Sequence, residues 1–274
     1  RDELEQWLER AGELDLEPLI VFEPTRAPEG GFSTARPTTA DLAAAFDEFR
    51  ATWPEVHRFI AWNEPNAPVT ETAPALAADY YLALSDRCGE DCTVAAGNFR
   101  GMTAGDDDDL RMTGPNADSP DCGDDASYFD RYKCRLAGAG HHPRVWAFHP
   151  YLDGDRYRRD SSHCGDPSIC QTRLFMAQLA GFWSDSEVWM TEAGALYATP
   201  TLAADAKIQA CTSAFYLRLF QLPEWNGRVT RFYYFNWYGY NNDMGLVARA
   251  KPYEPRPIFD QLRDRVTNFD PTCP

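Results

Sequence analysis

Two glutamates stand in settings that could support bond cleavage. Glu64 lies in Trp62-Asn63-Glu64-Pro65-Asn66, and Glu192 in Trp189-Met190-Thr191-Glu192-Ala193-Gly194. Each closes an apolar run. Breaking a glycosidic bond needs such a pair: one carboxyl stays protonated to donate to the leaving oxygen, and the other is ionised to attack the sugar carbon or to activate water. Other polar or aromatic residues occupy equivalent places. Glu23, Asn98, His149 with Tyr151, and Asn236 with Trp237 also stand where an apolar run gives way to loop-like sequence. A lone carboxylate at such a point could simply mark where the chain meets solvent. Six runs that all end in groups suited to hydrogen-bonding or stacking on a sugar form a pattern.

The apolar runs themselves occupy residues 16–23, 57–63, 93–98, 144–149, 187–192 and 230–237. They are short, rich in Val, Ile, Phe, Trp and Ala, and only weakly alternating, as parallel strands covered on both faces are. Helical patterns fill 39–53, 73–88, 128–137, 171–184, 202–222 and 257–266, and an amphipathic stretch at 2–13 precedes them. In the first of these, Thr39 and Asp41 stand near a helix start, and Leu42, Ala45, Phe46 and Phe49 share one face. Strand–helix alternation with no glycine-rich phosphate loop favours a (β/α)8 barrel over a doubly wound sheet. A barrel gathers the C-terminal ends of its strands on one face, where active sites sit. Only six strands are evident and the chain opens on a helix. The expectation is therefore an α/β protein, a (β/α)8 TIM barrel truncated at the N-terminus so that strands three to eight are present, forming a single domain over 1–274. A barrel short of two strands would leave open edges.

Composition narrows the partners. The net charge is −16, from 42 acidic against 26 basic residues, which repels nucleic acid and anionic membranes. No run of 18 apolar residues offers a membrane span. A neutral carbohydrate suits the charge, and the protein is expected to act as a monomer without cofactor or metal. The 8 cysteines fall as Cys88/Cys92, Cys122/Cys134, Cys164/Cys170 and Cys211/Cys273. Disulfides in an oxidising compartment, and hence secretion, fit that spacing better than zinc, for which His163 beside Cys164 is the nearest approach. Connectivity stays open, since 8 cysteines allow about 105 pairings. The polar stretch 101–125 carries four consecutive aspartates, 106 to 109, but lacks the alternating oxygens and glycine turn of a calcium loop. It is expected to be a solvated insertion. No Gly-x-Ser-x-Gly elbow points to a serine hydrolase, and the adjacent His141 and His142 precede a strand rather than follow one.

Ile60-Ala61-Trp62-Asn63-Glu64-Pro65-Asn66 resembles the Asn-Glu-Pro segment that ends the fourth strand of clan A glycoside hydrolases. Trp189 to Gly194 resembles the seventh-strand segment that carries their nucleophile. Numbering the visible strands three to eight puts both motifs on the strands the clan requires. Phe148-His149-Pro150-Tyr151 resembles the sixth-strand segment, where a His or Tyr lies near the nucleophile. Phe235-Asn236-Trp237 resembles the eighth-strand end, which supplies a tryptophan floor beneath the cleaved sugar. The resemblance runs from about Leu16 to about Leu262 and is similar to family 39 and to an endo-β-1,3-glucanase family. It implies a retaining mechanism with Glu192 as nucleophile and Glu64 as acid/base, their carboxyls about 5–5.5 Å apart. It further implies that Asn63 holds the sugar 2-hydroxyl and that Tyr151 or His149 keeps Glu192 ionised. The substrate it suggests is a β-linked glucan or xylan. The alternative is a catalytically inactive carbohydrate-binding barrel, which has no reason to keep both glutamates. Trp53, Trp146, Trp183 and Trp189 are expected in the core, whereas Trp237 is expected as a sugar platform.

Overall fold

A computed structural model describes residues 2–27, 30–68, 70–101, 122–123, 126–165, 169–180, 183–198, 204–237, 243–248 and 254–263. All six expected strands form: β1 (Leu19–Val21), β2 (Arg58–Ile60), β3 (Thr93–Arg100), β4 (Val145–His149), β5 (Glu187–Ala193) and β6 (Val229–Tyr234). Around them run α1 (Asp2–Glu13), α2 (Thr39–Thr52), α3 (Pro74–Cys88), α4 (Tyr128–Gly138), α5 (Tyr151–Arg159), α6 (Gln171–Gln178), α7 (Ala206–Phe220) and α8 (Pro257–Arg263). Strand order follows the chain without reversal. A doubly wound sheet would reverse at a switch point, so the order is that of a (β/α)8 barrel, six strands of which lie among the described residues.

Contacts divide the chain into two compact units, one of Arg1–Phe99 with Ser119–Ala147 and one of Phe148–Pro274 with Arg100–Asp118. In the first, β1, β2 and β3 pair in parallel, with Val21 opposite Ile60 and Ile60 opposite Ala95. The cap of α2 lies one residue before the expected Thr39. Thr38 Oγ1 accepts from the Asp41 amide while the Asp41 carboxylate accepts from the Thr38 amide, satisfying two donors at the helix start reciprocally. The helix then buries Leu42, Ala43 and Phe46, and Phe46 meets Phe59 of β2 edge-on at 4.9 Å. From β3, Phe99 meets Phe129 and Tyr132 of α4, each at 5.0 Å. Lys133 is fully buried on the same helix, its Nζ 2.9 Å from Asp130 and over the Phe129 ring. Burial lowers its pKa, against the opposing pull of Asp130.

In the second unit β5 pairs with β6, and the ladder is interrupted twice. Phe148 stacks on Phe175 at 4.6 Å and Tyr157 on Phe215 at 4.4 Å, and Trp183 and Tyr216 are fully buried in the same unit. Helix α5 was not expected. Its sequence, Tyr-Leu-Asp-Gly-Asp-Arg-Tyr-Arg-Arg, has too few apolar residues to show a period, but Asp153 in its first turn and three arginines in its last suit the helix dipole. Helix α6 ends at Gln178, short of the expected 184. Trp146, Trp183 and Trp189 are buried as expected, while Trp53 is half-buried.

Cys88 is bonded to Cys92, Cys122 to Cys134 and Cys164 to Cys170. Cys211 is also disulfide-bonded, and Cys273 lies outside the described residues, as does nearly all of the stretch 101–125. With Cys164 bridged and His163 directed at Asp153 (2.9 Å), these two do not form a zinc site. Among the described residues no helix is long and apolar enough to cross a membrane. The α2 cap gives a direct test of the local energetics. Thr38→Ala should lower the unfolding free energy by about 1 kcal/mol, read from the urea midpoint at unchanged slope.

Candidate active site

In the first unit, Asn63 and Glu64 follow β2 rather than lying within it. The turn that starts there is closed by the Glu64 carbonyl, which accepts from the Ala67 amide at 2.9 Å and from Thr70 Oγ1 at 2.6 Å. Glu64 itself takes φ = 40°, a left-handed conformation that costs a residue with a Cβ. Asn63 is anchored by its amide to the Phe22 carbonyl (2.8 Å). Its Oδ1 accepts from Nδ2 of Asn98 at 2.8 Å, so the Asn63 amide nitrogen is directed away from Asn98. Asn98 is fully buried near the end of β3 and is likewise left-handed, at φ = 74°. Thus Asn63, Glu64 and Asn98 come together, and two of the three sit in backbone conformations that the surrounding hydrogen bonds must enforce. Glu23 does not join them. The strand before it ends at Val21, and the exposed Glu23 carboxylate pairs with Arg26 at 3.1 Å.

In the second unit, Glu192 lies one residue before the end of β5. Met190 stands opposite Phe232 and Ala193 opposite Tyr234, so three steps on β5 match two on β6. The extra residue is a bulge at Thr191–Glu192, a device that breaks the regular alternation and re-aims a side chain. Gly194 follows, where a Cβ would fall 2.3 Å from the Phe235 carbonyl oxygen and 2.5 Å from Met244 Sδ. Glycine is needed there because the end of β6 and the next loop approach that closely. Tyr151 Oη donates to Glu192 Oε2 at 3.0 Å. His149 is fully buried, and its Nδ1 stands 3.8 Å from the same oxygen, beyond hydrogen-bonding reach. Of the two candidates for holding Glu192, Tyr151 makes the hydrogen bond.

Two exposed aromatic rings follow β6, and one of them touches the tyrosine bonded to this carboxylate. Trp237 is 57% exposed and Phe235 43% exposed, and the Phe235 ring meets that of Tyr151 edge-on at 6.1 Å. The Trp237 and Phe259 rings meet edge to face at 5.7 Å, and the Trp237 carbonyl accepts from the Val247 amide. Asn236, between the two rings, has a buried Oδ1 with no hydrogen-bond partner among the described residues. The Phe235–Asn236 peptide is cis. Phe235 was not singled out from the sequence, where an unbroken run to 237 made it an ordinary strand residue; the strand stops at Tyr234, and the ring is released to the surface.

The left-handed backbone at Glu64 yields a stability test. Glu64→Gly should exceed Glu64→Ala in stability by about 1 kcal/mol, because only the alanine retains the Cβ that the conformation penalises. Equal denaturation midpoints would show that the turn relaxes.

No family model matches the sequence, and no curated protein matches it. Solved structures do. A glucosidase from Croceicoccus marinus aligns over 89% of this chain and 48% of its own, with a TM-score of 0.57 and 10% identity. A GH128 (subgroup I) endo-β-1,3-glucanase from Amycolatopsis mediterranei, solved with laminaritriose, aligns over 93% of each chain, with a TM-score of 0.57 and 16% identity. A family 39 glycoside hydrolase from Bacteroides cellulosilyticus aligns over 97% of this chain and 54% of its own, with a TM-score of 0.53 and 17% identity. The chain spans about half the length of the first and third of these. The chain shares the fold of these carbohydrate-cleaving neighbours, a glucosidase, an endo-β-1,3-glucanase and a family 39 glycoside hydrolase.

Proposed function

We propose that the chain belongs to an exported retaining glycoside hydrolase acting on a β-linked glucan or xylan, and that its strands form a single catalytic domain. The observation that carries the reading is the hydrogen bond from Tyr151 to Glu192, with the exposed Phe235 ring against Tyr151. A carboxylate held by a phenol at a strand end, next to surfaces on which a sugar ring can stack, suits attack on an anomeric carbon. The shared fold supports it, as do the oligosaccharide complexes of a structural neighbour. Three disulfides among the described residues support export.

In this reading Glu192 attacks the anomeric carbon while Glu64 gives its proton to the departing glycosidic oxygen. The glycosyl–enzyme ester that results is opened by water, whose proton passes to Glu64 as the bond to Glu192 breaks. Asn63, oriented by Asn98, offers its amide to the 2-hydroxyl, and Trp237 underlies the sugar. His149 and Asn236 complete the proposed substrate-binding set, and Glu23, paired with Arg26, stands outside it.

Laminarin, carboxymethylcellulose and xylan should be incubated with the protein and the first-formed anomer followed by NMR. Retention supports double displacement, and initial inversion overturns it. Glu192→Gln should lower kcat by on the order of 10⁴-fold or more while leaving glycan binding largely intact; undiminished turnover would remove Glu192 from the role of nucleophile. Glu64→Ala should recover turnover of an activated aryl glycoside when azide is added, and no recovery would count against Glu64 as the acid/base. Binding without turnover by the unsubstituted protein would instead mark an inactive carbohydrate-binding barrel.

A further inference from the structure

Two fully buried polar side chains, Tyr216 on α7 and Asp153 on α5, take no part in the proposed chemistry; the first is bonded to the turn that carries Tyr151, and the second belongs to that turn and ties it to α6. We propose that they are positioning residues, which hold the first turn of α5 so that Tyr151 Oη reaches Glu192; this rests on the reading of Glu192 as nucleophile.

Tyr151 is the first residue of α5. Tyr216 Oη accepts from the Gly154 amide at 3.1 Å and donates toward the carbonyls of Pro150 (3.1 Å) and Tyr151 (3.3 Å). One hydroxyl therefore grips the backbone on both sides of the Tyr151 side chain. Burial holds the Tyr216 phenol well above its ordinary range, so it keeps the proton that this arrangement needs. The fit requires glycine: a Cβ on residue 154 would lie 2.2 Å from Tyr216 Oη.

Asp153 holds the same turn from its other side. Its Oδ1 accepts from the Gln171 amide (2.8 Å) and lies 2.9 Å from His163 Nε2, while Oδ2 accepts from the Thr172 amide (2.7 Å) and hydroxyl (2.6 Å). Gln171 and Thr172 open α6, where amides lack intrahelical acceptors, so Asp153 caps one helix from another. With both oxygens engaged, it is suited to fixing geometry rather than to shuttling a proton. Tyr151 is thus placed by α6 and α7 together, and its ring is further steadied by Phe235.

The test is a double-mutant cycle on the whole chain with an aryl β-glycoside or laminarin as substrate. Tyr216→Phe keeps the ring and removes the hydroxyl. It should lower kcat on the order of tenfold with KM unchanged, because a displacement near 1 Å at a reacting group is costly. Tyr151→Phe should lower kcat at least as much. If Tyr216 acts through Tyr151, the double variant is no slower than Tyr151→Phe alone. A further loss equal to that of the single Tyr216→Phe change would overturn the proposal, since it would show a general structural effect. Should Tyr216→Phe fail to fold by circular dichroism, Thr172→Val, which removes one bond to Asp153, enters the same cycle with the same two outcomes. Full turnover by Glu192→Gln would sink the functional reading instead, whatever the cycle shows.

Discussion

A strand that pairs in parallel with its predecessor must be reached by a crossover of a dozen residues or more, because the chain has to return to the edge from which it started. That requirement produces the alternation of strand and helix, and it sends every strand toward the same edge. Side chains placed at or just past the ends of successive strands then become neighbours although they are far apart in sequence. Asn63 and Asn98 meet in this way, 35 residues apart. So do Tyr151 and Glu192, 41 residues apart. The helices that fill the crossovers bury the strands on their other face, which is why the strand sequences are apolar runs rather than alternating ones.

Some departures from regular geometry, though not all, fall on residues of chemical interest. Glu64 and Asn98 are left-handed, and a bulge interrupts β5 at Glu192. Each costs free energy relative to an ideal element, and each is held by neighbours: two donors on the Glu64 carbonyl, the Asn63 partner of Asn98, the close-packed Gly194 behind Glu192. Ideal strands would have carried the chain onward and pointed these groups by strict alternation. The irregularities give them directions that alternation cannot.

The strands were legible because a buried parallel strand leaves a compositional mark, and all six fell within a few residues of the apolar runs. Ends were less so. The run at 230–237 is uniformly aromatic and apolar, and no sequence signal marks the break after Tyr234 that exposes Phe235. Helix α5 was invisible for the opposite reason: its polar sequence carries no period, and what holds it are tertiary bonds from Tyr216 and to the start of α6. The carboxylates and asparagines of the candidate site could be named, since chemistry restricts which side chains serve. Whether His149 or Tyr151 would reach Glu192 could not, because a difference of 0.8 Å between 3.8 and 3.0 Å depends on how two helices seat a third.

The three described disulfides join cysteines only 4, 12 and 6 positions apart. Closing so short a loop removes little entropy from the unfolded chain, so these bridges add less to global stability than a long-range one would. Their value lies in the search. A thiol whose correct partner is a few residues away meets it at high effective concentration, long before distant thiols collide. For a chain with 8 cysteines, this proximity thins out the wrong pairings at the outset and leaves few decisions for the later, slower stages of oxidation.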